Sequence, residues 1–191
     1  MCQVALDRAA QLSQRLGLPG PVSEWRNSAD HLRELILNEA WDDKAQTISA
    51  HLDCGGVLDA SLLALPLRGV VPADHPRMVA TTNAVSDRLS AGDGLLYRYL
   101  HEESTDGIAG DEGAFLLCSF WLVDNLALQN RLDEAQELYA SLCARANPLG
   151  LLSEQIDPPT GGLIGNFPQA FSHLGIVASG VNLARATQGS R

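Results

Sequence analysis

The chain has 191 residues, 46% of them hydrophobic and 19% charged, the composition of a soluble globular protein and the length of one domain or part of a larger one. Its formal net charge of −10 opposes attraction to nucleic acid phosphates or an anionic membrane, and no Lys/Arg cluster offsets it locally, so neither is expected as a partner. No apolar run reaches the roughly 18 residues needed to span a bilayer, and polar Gln3, Asp7 and Arg8 stand where a signal peptide would be apolar, so a cytoplasmic location is expected.

Helical periodicity runs the whole length and alternating β-type runs are scarce, which predicts an all-α chain. In chain order, helices are expected over Cys2–Leu16, Ala29–Trp41, Leu58–Leu67, Pro76–Leu89, Glu112–Gln129, Leu132–Arg145 and Pro168–Ala186. The fifth carries Leu116, Leu117, Phe120, Trp121, Leu122, Val123 and Leu126 with little polar face, so it should be buried nearly all round. The sixth sets Leu132, Ala135, Leu138 and Leu142 on one stripe behind Asp133, Glu134 and Glu137, and should be half exposed. The third and fourth repeat the contrast. Alternating inner and outer helices suit a solenoid or an α/α toroid, and irregular hairpin lengths without a fixed repeat favour the toroid.

Two long loops stand out, Ala91 to Asp111 and Asn147 to Asn166, and long ordered loops on a helical scaffold are where sites are usually built. Glu154 follows Leu151-Leu152 and precedes Ile156, so its carboxylate emerges from partly buried surroundings that can tune it for general acid–base work; a structural hydrogen-bonding role fits the same position. Glu112 stands at the start of the most apolar helix, where capping is the ordinary role of an acid. Tyr97-Arg98-Tyr99 sets a guanidinium between two aromatics, suited to sugar hydroxyls or to a surface ion pair. His173 lies among apolar residues, as hydrogen-bonded core histidines do. Cys2, Cys54, Cys118 and Cys143 have no C-x-x-C or zinc spacing and read as reduced, mostly buried thiols.

Four stretches add a resemblance: Leu58-Asp59-Ala60-Ser61-Leu62-Leu63; Gly113-Ala114-Phe115-Leu116-Leu117-Cys118-Ser119-Phe120-Trp121-Leu122-Val123-Asp124; Leu149-Gly150-Leu151-Leu152-Ser153-Glu154-Gln155-Ile156-Asp157-Pro158; and Gly165-Asn166-Phe167-Pro168-Gln169-Ala170-Phe171-Ser172-His173-Leu174-Gly175. In this order they resemble the second half of the family 15 glycoside hydrolases, the glucoamylase and trehalase-like group. The resemblance covers nearly the whole chain. It implies a partial (α/α)6 toroid, with residues 1–191 as the C-terminal portion of the catalytic domain and the N-terminal half absent. It also implies inverting hydrolysis of α-glucosidic bonds in maltooligosaccharides, starch, dextran or trehalose, with no cofactor. By the same resemblance Glu154 is the general base that activates water, Arg98 binds glucose hydroxyls, Glu112 and Trp121 lie near the pocket, and Phe171 and His173 line the subsite.

An inverting glycosidase also needs a second carboxylic acid about 6.5–9.5 Å from the base. In the family that acid lies upstream of the stretch matching this chain, so alone the chain is expected to be a poor hydrolase, and a separate chain carrying the N-terminal half is a candidate partner beside the α-glucoside substrate. The competing reading is a non-enzymatic helical-repeat module that binds a protein or a sugar. A cleft holding Arg98 and Glu154 and open on one side would favour the first reading; a Glu154 in solvent, or satisfied by structural hydrogen bonds, would favour the second.

Overall fold

The computed structural model describes residues 1–53, 55–100 and 112–189. Cys54 and residues 101–111, which include much of the first long loop, lie outside the described residues. Among the described residues there are seven α-helices and seven strands of two or three residues: α1 (Cys2–Leu16), α2 (Val22–Glu34), β1 (Trp41–Asp42), β2 (Thr47–Ile48), α3 (Ala64–Leu67), α4 (Pro76–Arg88), β3 (Ser90–Gly92), β4 (Leu95–Leu96), β5 (Ala114–Phe115), α5 (Leu116–Leu128), α6 (Leu132–Cys143), β6 (Gln155–Ile156), β7 (Leu163–Ile164) and α7 (Ala170–Gly189). The all-α expectation therefore holds, with the strands serving as staples between loops.

Local chemistry sets most of the boundaries. α1 stops at Gly17, whose left-handed backbone lets the Gly17 and Leu18 amides both return to the Ser13 carbonyl. α2 begins at Val22, directly after Pro21, seven residues before the expected start; a π-helical turn, Leu35–Glu39, then carries the chain to β1, so Trp41 is in a strand and not a helix. The expected third helix divides into a 3-10 turn, Ala60–Leu63, and the short α3, because the Asp59 side chain accepts from the Ser61 N–H and caps the tighter turn. α4 starts with Pro76 at a position where the missing N–H costs nothing.

The fifth helix starts four residues later than expected. Glu112 lies ahead of β5 and does not cap α5, whose N-cap residue is Phe115. Pairing replaces capping there: β5 runs antiparallel to β6, with Ala114 opposite Ile156, and the Leu116 N–H donates to the Glu154 carbonyl at 3.2 Å. This satisfies one of the amides that a helix N-terminus otherwise leaves open.

α5 is the centre of the core. Phe120, Leu116 and Val123 are fully buried, and α4, α6 and α7 pack around the helix. α6 buries only Ala135 and Leu142 deeply, so the expected contrast between an enclosed and a half-exposed helix is present. α7 approaches α5 closely because Gly175 faces Phe120; a Cβ at this glycine would lie 2.8 Å from the Phe120 ring. Ser179 Oγ donates to the Phe120 carbonyl at 3.1 Å and Asn182 Nδ2 to Asp124 Oδ1 at 3.1 Å. The outer side of α7 carries Phe171, Leu174, Val177 and Val181, four large apolar residues at helical spacing that are all exposed. No helix among the described residues is long and apolar enough to cross a membrane.

Candidate functional site

Three segments converge on one cavity. β3 and β4 form a hairpin through Asp93 and Gly94, both with positive φ, and the Leu96 amide is held by Ser119 Oγ of α5 at 3.0 Å. This places Arg98 at the rim. The Arg98 carbonyl accepts from the Ala60 N–H at 2.7 Å, which ties the rim to the 3-10 turn. The third segment is the loop leading into β6, which carries Glu154.

Together with α5 and the start of α7 they enclose about 200 Å³, lined by Asp59, Ser61, Arg98, Phe115, Leu117, Cys118, Trp121, Glu154, Gln169, Phe171 and Ser172. Four of the six residues marked out by the sequence, Arg98, Trp121, Glu154 and Phe171, thus share one cavity. Glu112 and His173 are not among its lining.

Glu154 is half-buried, and its Oε2 accepts two hydrogen bonds from one residue, the Asn166 backbone N–H at 3.1 Å and Asn166 Nδ2 at 3.0 Å. In return the Glu154 N–H donates to the Asn166 carbonyl at 2.9 Å. Both opposed expectations for Glu154 are met in part: the carboxylate lines the cavity with Arg98, and one of its oxygens is committed to the protein.

Arg98 lies with its Nε 3.7 Å from Asp59 Oδ2 and its guanidinium 5.4 Å from the Tyr99 ring centre. Asp59 therefore uses one oxygen to cap the 3-10 turn and the other to face Arg98. The arginine side chain is half exposed, so this pair orients more than it stabilises. Cys118 lines the same cavity; burial, reinforced by the Asp59 carboxylate and opposed by Arg98, pushes its thiol up to about 12, which keeps it neutral and unreactive. Cys118 is buried as expected, whereas Cys2 is exposed and Cys143 intermediate; all three are free thiols.

His173 sits on the first turns of α7 and takes a bracing position: the Leu152 N–H donates to its Nε2 at 3.2 Å. The Gln169 N–H donates to the Leu152 carbonyl at 2.9 Å and Ser172 Oγ to the Ser153 carbonyl at 2.7 Å. The start of α7 thus grips the two residues preceding Glu154. Asp59, Gln169 and Asn166 were not singled out from the sequence. For Asp59 a signal existed, the Asp-x-Ser spacing of a capped turn; for Asn166 the bonds span twelve residues and leave no local pattern.

The profile of the family described as glycosyl hydrolases family 15 matches residues 1–131 and 127–181. The chain belongs to glycosyl hydrolase family 15. A trehalase from Mycolicibacterium smegmatis is 41% identical over 98% of this chain, and a trehalase from Thermoplasma acidophilum 38% identical over 97%. The chain spans only 28% and 31% of those relatives' lengths. A bacterial glucoamylase solved in complex with acarbose superposes with a TM-score of 0.80 over 96% of this chain and 32% of its own, at 19% identity, so the likeness is one of fold. The family 15 helices here are accordingly a segment of an α/α toroid.

Proposed function

We propose that this chain carries the general base and part of the sugar-binding wall of an inverting α-glucoside hydrolase, and that residues 1–191 are the C-terminal portion of a family 15 catalytic domain. The observation that carries the reading is the setting of Glu154: a carboxylate with Oε2 fixed by two N–H donors, on the wall of a cavity it shares with Arg98, Trp121 and Phe171. Oε1 takes no hydrogen bond from the described residues, which leaves an acceptor for a water molecule. A base must meet its proton within hydrogen-bond reach, and a fixed carboxylate holds that water along one line of attack.

The rest of the wall suits a sugar. Phe115, Trp121 and Phe171 offer apolar and aromatic faces, while Arg98, held by Asp59, offers N–H donors to hydroxyl oxygens. Trehalose is the substrate favoured by the relatives at 38–41% identity, both named trehalases. Maltooligosaccharides are the second class, since they share the α-glucosidic configuration while differing in linkage. No cofactor enters, because inversion requires two carboxyl groups and water.

The second carboxyl group must lie across the scissile bond. Among the described residues two carboxylates line the cavity, and the one besides Glu154, Asp59, is occupied by the Ser61 amide and Arg98. By the family resemblance the acid is assigned to an N-terminal portion of the domain, supplied within a longer protein or by a separate chain. Removal of a general acid typically forfeits about 10²–10⁴-fold in rate, so the chain alone is expected to be slow.

Glucose release from trehalose and from maltotriose tests the proposal, with the chain alone and with an N-terminal family 15 segment co-expressed. Release that needs the added segment and vanishes in Glu154→Gln is the expected result. Undiminished release in Glu154→Gln would remove the base from this residue.

A further inference from the structure

We infer that Asn166 is the positioning residue for the Glu154 carboxylate, an inference that rests on the reading of Glu154 as the base. The two residues form a closed clasp. Asn166 donates to Oε2 from both its backbone and its side chain, while its carbonyl accepts from the Glu154 N–H, so main chain and side chain of the glutamate are gripped at one point. Two convergent donors on a single oxygen fix the plane of the carboxylate as well as its place.

The neighbouring residue removes the remaining freedom. Gly165 has a φ of +73°, and a Cβ there would stand 3.0 Å from Glu154 Oε2 and 3.1 Å from the Glu154 Cβ. The glycine thus lets the backbone lie directly against the carboxylate. On the other side, Leu152 and Ser153 are held by Gln169, Ser172 and His173, so the glutamate is anchored at its backbone as well as at its carboxylate. Within this frame, among the described residues, Asn166 has the one side chain that hydrogen-bonds the carboxylate. It does not line the cavity and takes no part in the proton transfer; it acts through Glu154.

The contact is read in the full chain without turnover, from the three-bond NMR couplings that report the Glu154 χ1 angle. One dominant rotamer is expected in the wild type. Asn166→Ala keeps the backbone donor and removes Nδ2, and Asn166→Asp replaces that donor with a repelling carboxylate. Rotamer averaging of Glu154 is expected in both, with the Leu152 amide resonance unmoved as a check that the loop remains folded. A single retained rotamer in Asn166→Ala would overturn the inference.

Turnover supplies the second readout. With the N-terminal segment present and trehalose as substrate, Asn166→Ala should lower kcat by about 100-fold with KM little changed, the effect of a reacting group displaced by about an ångström. An unchanged kcat would also overturn it. Glu154→Gln separates the two levels: if that variant keeps its rate, the base assignment fails while the rotamer result stands as a structural contact.

Discussion

The imidazole of His173 accepts the Leu152 amide proton at its Nε2, which makes a residue of α7 a brace for the loop that carries Glu154.

Replacing His173 by Phe substitutes a larger ring without nitrogens and leaves the amide of the buried Leu152 without its acceptor. A loss of about 1–3 kcal/mol in urea unfolding is expected. His173→Gln, whose side-chain oxygen has comparable reach, should recover part of it; equal stability of the Phe variant and the wild type would show that the bond contributes nothing.

Gly165→Ala forces an L-residue into the left-handed region and drives a methyl group against Glu154. The backbone alone costs about 1–2 kcal/mol. The base should also be displaced, so glucose release by the assembled domain is expected to fall by more than stability does. Gly161→Ala, which has a similar φ of +68° and no neighbour within 4 Å, is the control for strain without displacement.

Asp124 gives a pH signature. It is buried on α5, and burial raises its pKa above 3.8, with the hydrogen bond from Asn182 and the neighbouring Ser179 hydroxyl opposing the shift. Because the folded-state value is the higher one, the fold binds this proton more tightly than the unfolded chain does. The side chain therefore favours folding most below pH 3.8, and that contribution is lost as the pH rises through the folded-state value. Asp124→Asn retains an acceptor for Asn182 and removes the charge. Its melting temperature should equal or exceed that of the wild type at pH 7, and the advantage should shrink on acidification; an advantage that grows in acid would reverse the sign.

Asp59 serves two groups with two oxygens. Asp59→Asn keeps an acceptor for the Ser61 amide and gives up the charge facing Arg98, while Asp59→Ala gives up both. The alanine variant should lose about 1 kcal/mol of stability through the lost cap. The asparagine variant should keep stability and raise KM for trehalose, since Arg98 is then less well held; an unchanged KM would detach Arg98 from substrate binding.

How much of this was legible in the sequence depends on the range of the interaction. α5 and α6 were readable because their patterning is local: a helix apolar on every side must be enclosed, and one with a single stripe need not be. The start of α2 was hidden because Ser23-Glu24-Trp25-Arg26-Asn27-Ser28 has almost no apolar periodicity to read. The Glu112 boundary failed for a different reason. Ala114 and Phe115 look like the first apolar residues of a helix, yet they pair with Ile156 and Gln155, some forty positions away, and a two-residue strand has no period. The cavity was partly legible in the same way. Glu154, Arg98, Trp121 and Phe171 are conspicuous for their chemistry and their motifs, whereas Asn166 and Asp59 are ordinary residues given their roles by where the chain folds back.

Phe171 belongs at once to the cavity lining and to the exposed apolar stripe of α7 with Leu174, Val177 and Val181. One ring therefore serves two surfaces, and it cannot be wholly given to both. A molecule laid along the stripe would narrow the mouth of the cavity, and a sugar stacked on the ring would withdraw area from the stripe. By reciprocity each would alter the affinity of the other by the same factor, with the sign set by whether they compete for the ring or share it.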